Sequence, residues 1–159
     1  MKKRVGIIMG GPSAEREVAL ASGKRVAEAL SERGHSVVAI DWTGADHNLW
    51  ADLRWENVEV AFVALHGTLG EDGCVQGLLE CAGIPYTGSG VLASALAMDK
   101  VASRRVFDEA SIETPRWTIY EGPADVQRIG LPLVVKPSRE GSSVGISIVR
   151  DESQLDAAL

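Results

Sequence analysis

Short apolar runs alternate with longer stretches in which apolar residues recur every three or four positions. Arg4-Val-Gly-Ile-Ile-Met9, apolar after its first residue, ends at Gly10-Gly11-Pro12-Ser13, which predicts a buried strand followed by a loop. Ser13 is a good N-cap. Apolar positions at Val18, Ala21, Val26 and Leu30 then predict a helix over 14–33, stopped by Gly34. Residues 36–41 and 60–65 predict two further strands, with a loop and a short helix between them. A polar loop over 66–73 leads into a helix over 74–82 stopped by Gly83, a short strand over 84–87, and a helix from Val91. This order predicts a parallel sheet with right-handed crossovers.

Beyond Met98 the pattern changes. The helical pattern continues over 100–110, a strand is predicted over 117–120, and a short helix over 124–129. Two β-branched runs, 133–135 and 146–149, flank a loop of Pro, Ser, Gly and charged residues, which is most simply a hairpin with Lys136 at the end of its first strand. Residues 153–159 predict two turns of helix. The chain therefore reads as an α/β protein of two parts, 1–98 and 99–159, with the boundary near residues 98–100.

Composition narrows the function classes. An apolar content of 45% with 24% charged residues predicts a packed core. A net charge of −6 disfavours nonspecific binding to nucleic acid or to an anionic membrane, and no basic run with interleaved aromatics occurs. The apolar run at the start is too short for a signal sequence, and no stretch approaches the ~20 apolar residues of a membrane span, so a cytoplasmic protein is expected. Cys74 and Cys81 lie on one predicted helix about 10 Å apart, too far for a disulfide. They are expected to be reduced thiols packed as small hydrophobes.

Three loops follow predicted parallel strands, at the edge where such sheets bind ligands. In the first, Glu15 opens a helix. There it could simply complement the helix dipole or, facing a cleft, hold an ammonium group. The second carries His66, Glu71, Asp72 and three glycines. A metal site could be drawn from His66, Glu71, Asp72 and Cys74, but known zinc spacings do not match, and hydrogen bonding in a substrate cleft is more economical. The third, Gly88-Ser-Gly90-Val-Leu-Ala93, fits a loose dinucleotide fingerprint, though the strand before it comes late and no ribose-binding acid follows at the right place. The hairpin loop offers Lys136, Gly141, Ser142, Ser143 and Gly145, a set suited to a polyphosphate or equally to a solvated turn. It is no Walker loop: the only Gly-Lys pair, Gly23-Lys24, precedes Arg25 inside a predicted helix. A Gly-rich kinase loop folded over phosphates is the nearer analogue.

Taken together, four segments closely resemble the D-alanine–D-alanine ligases of the ATP-grasp superfamily. They are Gly10-Gly-Pro-Ser-Ala-Glu15-Arg-Glu-Val18, His66-Gly-x-x-Gly-Glu-Asp-Gly73-x-x-Gln-Gly-Leu-Leu-Glu80, Tyr86-Thr-Gly-Ser-Gly-Val-Leu-Ala-Ser-Ala-Leu-Ala-Met-Asp-Lys100 and Lys136-Pro-Ser-Arg-Glu-Gly-Ser-Ser-Val-Gly145. Each motif alone is modestly specific; four in the same order are highly so. The resemblance implies a Rossmann-like parallel-sheet domain over 1–98, followed over 99–159 by the first part of an ATP-grasp central domain. It implies a reaction in which ATP phosphorylates one D-alanine and the amine of a second attacks the acyl phosphate, giving the dipeptide of peptidoglycan synthesis.

The same resemblance implies residue roles. Glu15 matches the acid that anchors the first ammonium group, and Ser142 the serine that helps hold Glu15 and a mobile loop. His66 matches a histidine at the substrate end of the cleft. Lys100 and Lys136 match lysines that contact ATP phosphates, and Ser143 lies where a loop closes over the transferring phosphoryl. A homodimer is implied too. Family members run to roughly twice this length, so Mg²⁺ ligands, the substrate-carboxylate arginine and the adenine-contacting hinge are expected past Leu159, with no metal ligand in this chain. Alone, the chain is expected to be inactive. Ligases of the same family making D-alanyl-D-lactate or D-alanyl-D-serine, and a non-catalytic nucleotide-binding module, are the alternative readings.

Overall fold

The structure, a computed structural model, describes residues 2–44, 46–141 and 144–159. The chain divides into two compact units, Met1–Leu96 and Ala97–Leu159.

The first unit is built on a three-stranded parallel sheet. Strand β1 (Arg4–Gly10) lies between β2 (Ser36–Trp42) and β3 (Val60–Val63), with Val5 opposite both Val37 and Val60. Parallel strands covered on both faces need apolar side chains on both, and β1 is buried from Val5 onward. Val5, Ile7 and Met9 point to one face, where Leu20, Val26, Ala27 and Leu30 of helix α1 (Arg16–Glu32) cover them. Ile8 points to the other. There it joins Leu49 and Leu53 of α2 (Leu49–Trp55) and Val75 and Leu79 of α3 (Cys74–Ala82).

Helix α1 packs the predicted Val26 and Leu30 against the sheet but leaves Val18 and Ala21 outside. Its buried positions are Ala19 and Gly23, whereas Val18 is 58% exposed. Small residues face the sheet because α1 lies close to it: a Cβ on Gly23 would stand 2.6 Å from Met9 Cβ. The hydrophobicity of Val18 outweighed these small residues in the sequence reading. The helix also starts later than predicted, at Arg16. The strand predicted at 84–87 reduces to a single parallel bridge between Ala61 and Tyr86. Cys74 and Cys81 are free but exposed rather than packed, because α3 turns its Val75 and Leu79 face inward.

Helix α4 (Val91–Met98) runs to the end of the first unit and just past it, and α5 (Lys100–Glu109) begins two residues later. The continuous helix expected here is broken at Asp99. Its backbone is extended, and its carboxylate accepts the N–H groups of Val101 and Ala102 as a new N-cap.

In the second unit, the predicted hairpin forms as β4 (Leu133–Val135) antiparallel to β5 (Ser147–Val149), with Leu133 opposite Val149. Helices α6 (Pro123–Ile129) and α7 (Leu155–Ala158) complete it. No strand forms at 117–120, since no described neighbour offers that segment a ladder. Instead Trp117 Nε1 donates to Asp108 Oδ2 at 3.0 Å. Among the described residues of this unit only Val149 is buried. No described helix is long and apolar enough to cross a membrane.

The tight seam between α1 and β1 yields a test. Alanine is the better helix former by about 1 kcal/mol, yet overpacking against Met9 costs about 1–3 kcal/mol. Gly23→Ala is therefore expected to lower the urea midpoint at unchanged slope; a raised midpoint would show that the seam has slack.

Candidate active site

The loops after β1 and β3 meet at the C-terminal edge of the sheet. Gly10 and Gly11, both at positive φ, turn the chain out of β1, and Gly11 N–H donates to Trp42 O at 2.6 Å. Glu15 then occupies the N-cap position of α1, but its side chain caps nothing. Its carboxylate lies against the second loop instead. A Cβ on Gly67 would stand 2.3 Å from Glu15 Oε2 and 3.0 Å from Ser13 Cβ. Only glycine allows this approach, and only glycine readily takes the φ of +69° found there.

Ser13 ties the two loops together. Its hydroxyl accepts the N–H of Glu15 at 3.2 Å and donates to the carbonyl of His66 at 2.8 Å. The sequence reading made Ser13 a helix cap; the structure spends its hydroxyl on a residue 53 positions away. His66 is half-buried, and its Nε2 is buried without a hydrogen-bond partner among the described residues. A polar atom in that condition is a natural contact point for a ligand.

The remaining acids of the second loop hold the loop itself. Glu71 Oε2 accepts Gly67 N–H at 2.7 Å, and the two Asp72 oxygens accept the N–H groups of Leu69 and Cys74 at 2.9 and 3.1 Å. Gln76 Nε2 adds a bond to Gly70 O at 2.8 Å. Leu69 is kept at φ +67°, unusual for a branched side chain. With Glu71 and Asp72 so engaged, no group of His, Cys, Asp or Glu among the described residues is arranged to hold a metal. Burial opposes the charge on Asp72, but the N–H donors from Leu69 and Cys74 outweigh it and hold its carboxyl below the usual 3.8. Cys74 is exposed, and its bond to Asp72 together with partial burial pushes its thiol up.

The second unit carries the predicted lysines. Lys136 follows β4 directly and is exposed, making no hydrogen bond or ion pair with a described residue. Lys100 opens α5 and is fastened to the hairpin loop: its N–H donates to Ser138 O at 2.9 Å and its ammonium to Glu140 O. Asp99 adds a clamp that the motif reading missed, accepting Arg139 Nε at 3.0 Å. The N–H of Ala102, the Arg139 guanidinium and the N–H of Val101 hold the Asp99 carboxyl low. An acid one residue before a helical lysine was its visible signal. Gly145, at φ +68°, closes the loop, where a Cβ would meet Pro137 Cγ at 2.7 Å. Ser142 and Ser143, two of the residues singled out in sequence, lie outside the described residues. Glu15 and His66 are thus brought together in the first unit, and Lys100 joins the Lys136 loop in the second.

The fold is that of the α/β domain at the N-terminus of an ATP-grasp enzyme. Residues 45–89 match the family described as D-ala D-ala ligase N-terminus, and residues 106–159 that described as D-ala D-ala ligase C-terminus. The chain is 51% identical to a D-alanine–D-alanine ligase of Desulforudis audaxviator, over 100% of this chain and 53% of that protein. It is 55% identical to one of Citrifermentans bemidjiense, over 99% and 51%. The crystal structure of the Bacillus anthracis D-alanine–D-alanine ligase superposes with a TM-score of 0.83 at 38% identity, covering 98% of this chain and 52% of that one. The same enzyme complexed with ATP gives 0.80 at 37%, covering 98% and 53%. The chain belongs to the D-alanine–D-alanine ligase family, and it spans about half the length of the curated relatives it matches.

Asp72 makes the stability of the second loop depend on acid. Its depressed carboxyl contributes stability that is complete above the unfolded value near 3.8 and is lost as the pH falls through the lower folded value. Asp72→Asn keeps one acceptor oxygen, leaves a loop N–H unpaired and costs about 1–3 kcal/mol at pH 7. The gap between wild-type and variant unfolding midpoints should close as the pH falls below about 4; a gap constant from pH 7 to pH 3 would contradict the assignment.

Proposed function

We propose that the protein of which this chain forms about half the family length joins two D-alanines at the expense of ATP, forming ADP and the dipeptide used in peptidoglycan synthesis. What chiefly supports this reading is the meeting of Glu15 and His66 at the C-terminal edge of the parallel sheet, in a chain more than half identical to D-alanine–D-alanine ligases. The functional division follows the same lines, with 1–98 handling the amino acid and 99–159 beginning the nucleotide-binding domain.

In this reading Glu15 holds the ammonium of the first D-alanine. That fixes which end of the amino acid faces away from the sheet and leaves its carboxylate free to attack the γ-phosphorus of ATP. A carboxylate attacking a triphosphate brings two anions together, so cations and N–H donors must surround the transferred group. Lys136, which makes no pair with a described residue, and Lys100, held to the same loop, supply positive charge for the phosphates. Ser143 closes over the phosphoryl and Ser142 steadies Glu15; these two roles rest on the family resemblance. His66 lines the substrate end. The acyl phosphate formed is then attacked by the amine of the second D-alanine, releasing phosphate, and it must be shielded from water until that happens.

Mg²⁺ belongs to such a reaction, but the described residues do not fit it. Asp99 is taken by Arg139 and two N–H groups, and Asp125 by the N–H groups of Glu121 and Gly122 with Arg128. Its ligands are assigned outside this chain. A homodimer in the cytoplasm completes the reading on the strength of the resemblance.

In the full-length protein, Glu15→Gln should raise the KM of the first D-alanine about ten- to a hundredfold, the worth of a charged hydrogen bond. Lys136→Ala should chiefly raise the KM of ATP. Steady-state kinetics with both substrates varied would refute the reading if each variant stayed within about threefold of wild type. The 159-residue chain by itself should release no phosphate from ATP and D-alanine; turnover at the full-length rate would show that the missing groups are not needed.

A further inference from the structure

We propose that Ser13 is a positioning residue for the amino-acid site: its hydroxyl sets the spacing between the Glu15 carboxylate and His66 by fastening the first loop to the second. The inference rests on the ligase reading above and deepens it.

A serine that accepts the N–H two residues ahead forms a common local turn, and by itself that would mean nothing more. Here the hydroxyl also acts as a donor. Its proton goes to the His66 carbonyl at 2.8 Å, while one lone pair takes Glu15 N–H at 3.2 Å. One oxygen therefore touches the backbone of both candidate substrate residues. A local turn needs only the acceptor; the donation reaches across 53 residues to another loop.

The packing around this link leaves it no slack. The position a Cβ on Gly67 would take is 3.0 Å from Ser13 Cβ, 3.2 Å from Ser13 Oγ and 2.3 Å from Glu15 Oε2. The second loop is braced from behind, since Gly67 N–H is held by Glu71 Oε2 at 2.7 Å and Leu69 N–H by Asp72. The first loop is braced as well: Arg16 pairs with Asp41 at 2.7 Å, beside Gly10. Two braced loops joined by one hydroxyl behave as a jig. Removing the hydroxyl frees the His66 carbonyl and the Glu15 N–H together and lets the loop that carries Glu15 shift against the loop that carries His66. A group whose work depends on ångström placement loses binding when its support relaxes, even though it is itself intact.

Chemistry elsewhere should be untouched, because the phosphate-contacting lysines lie in the other unit. Ser13→Ala in the full-length protein should raise the KM of the first D-alanine roughly tenfold, the loss of one well-placed hydrogen bond. The KM of ATP should stay within about twofold. In a Glu15→Gln background, Ser13→Ala should add less than about twofold, since the group it positions is already disabled. The four proteins (wild type, each single variant and the double) are compared by steady-state kinetics, with the thermal midpoint of each measured alongside. A Ser13→Ala effect that multiplies the Glu15→Gln effect in full would overturn the inference. So would a lowered midpoint with both KM values raised alike, because Ser13 would then be merely structural. If Glu15→Gln raises the D-alanine KM and Ser13→Ala does not, the inference fails and the ligase reading stands. If Glu15→Gln itself leaves that KM unchanged, both fail.

Discussion

Strand β1 is hydrogen-bonded along both edges, to β2 on one side and β3 on the other, and its side chains are buried on both faces. A strand in that position cannot shift register by one residue without turning Ile7 and Ile8 to the wrong cores. Its C-terminal end is therefore among the best-determined points in the first unit. The parallel arrangement brings the end of β3 to the same edge. Whatever leaves β1 and β3 must emerge side by side, and Glu15, Ser13 and His66 sit on those two loops. The glycine at 23 and the bare edge of α1 belong to the same constraint, since they let the helix lie close enough to Met9 to seal one face.

The second consequence is that glycine and acid residues of these loops have structural work that resembles functional work. In the sequence Glu71 and Asp72 could be drawn into a metal site or a substrate cleft, and in the fold they satisfy backbone N–H groups. Glu15 is the reverse. It stands where an ordinary helix-start acid would, yet its carboxylate caps no N–H and rests against Gly67. Partner counting separates the two kinds: an acid whose lone pairs are filled by its own loop has little left for a substrate, and one aimed at a space kept open by glycine has most of its capacity free.

Hydrophobic runs and their glycine stops carried the strands β1 to β3, helix α3 and the β4–β5 hairpin, because each has a strong local pattern. Elements that depend on neighbours were less legible. Ile84 to Thr87 has strand-like residues but makes only one bridge, and the segment from Trp117 to Tyr120 has no described ladder partner. The stripe of α1 departs from the pattern only in its first half, at Val18 and Ala21, because burial there is decided by closeness to Met9, which favours Ala19 and Gly23. At the site, Glu15, His66, Lys100 and Lys136 were legible as motif positions. Ser13 was visible only as a helix cap, since no local pattern can announce a hydrogen bond to a carbonyl 53 residues on.

In the proposed reading, the turn after β1 and the loop after β3 make one binding place for the amino end of a small amino acid. A crystal structure of the full-length protein with D-alanine bound tests this most directly. The account predicts the ligand's ammonium within hydrogen-bond distance, roughly 2.7–3.2 Å, of a Glu15 carboxylate oxygen, with His66 beside it and Ser13 still joining the two loops. A D-alanine seated elsewhere, with Glu15 turned to solvent or engaged only by its own helix, would contradict it.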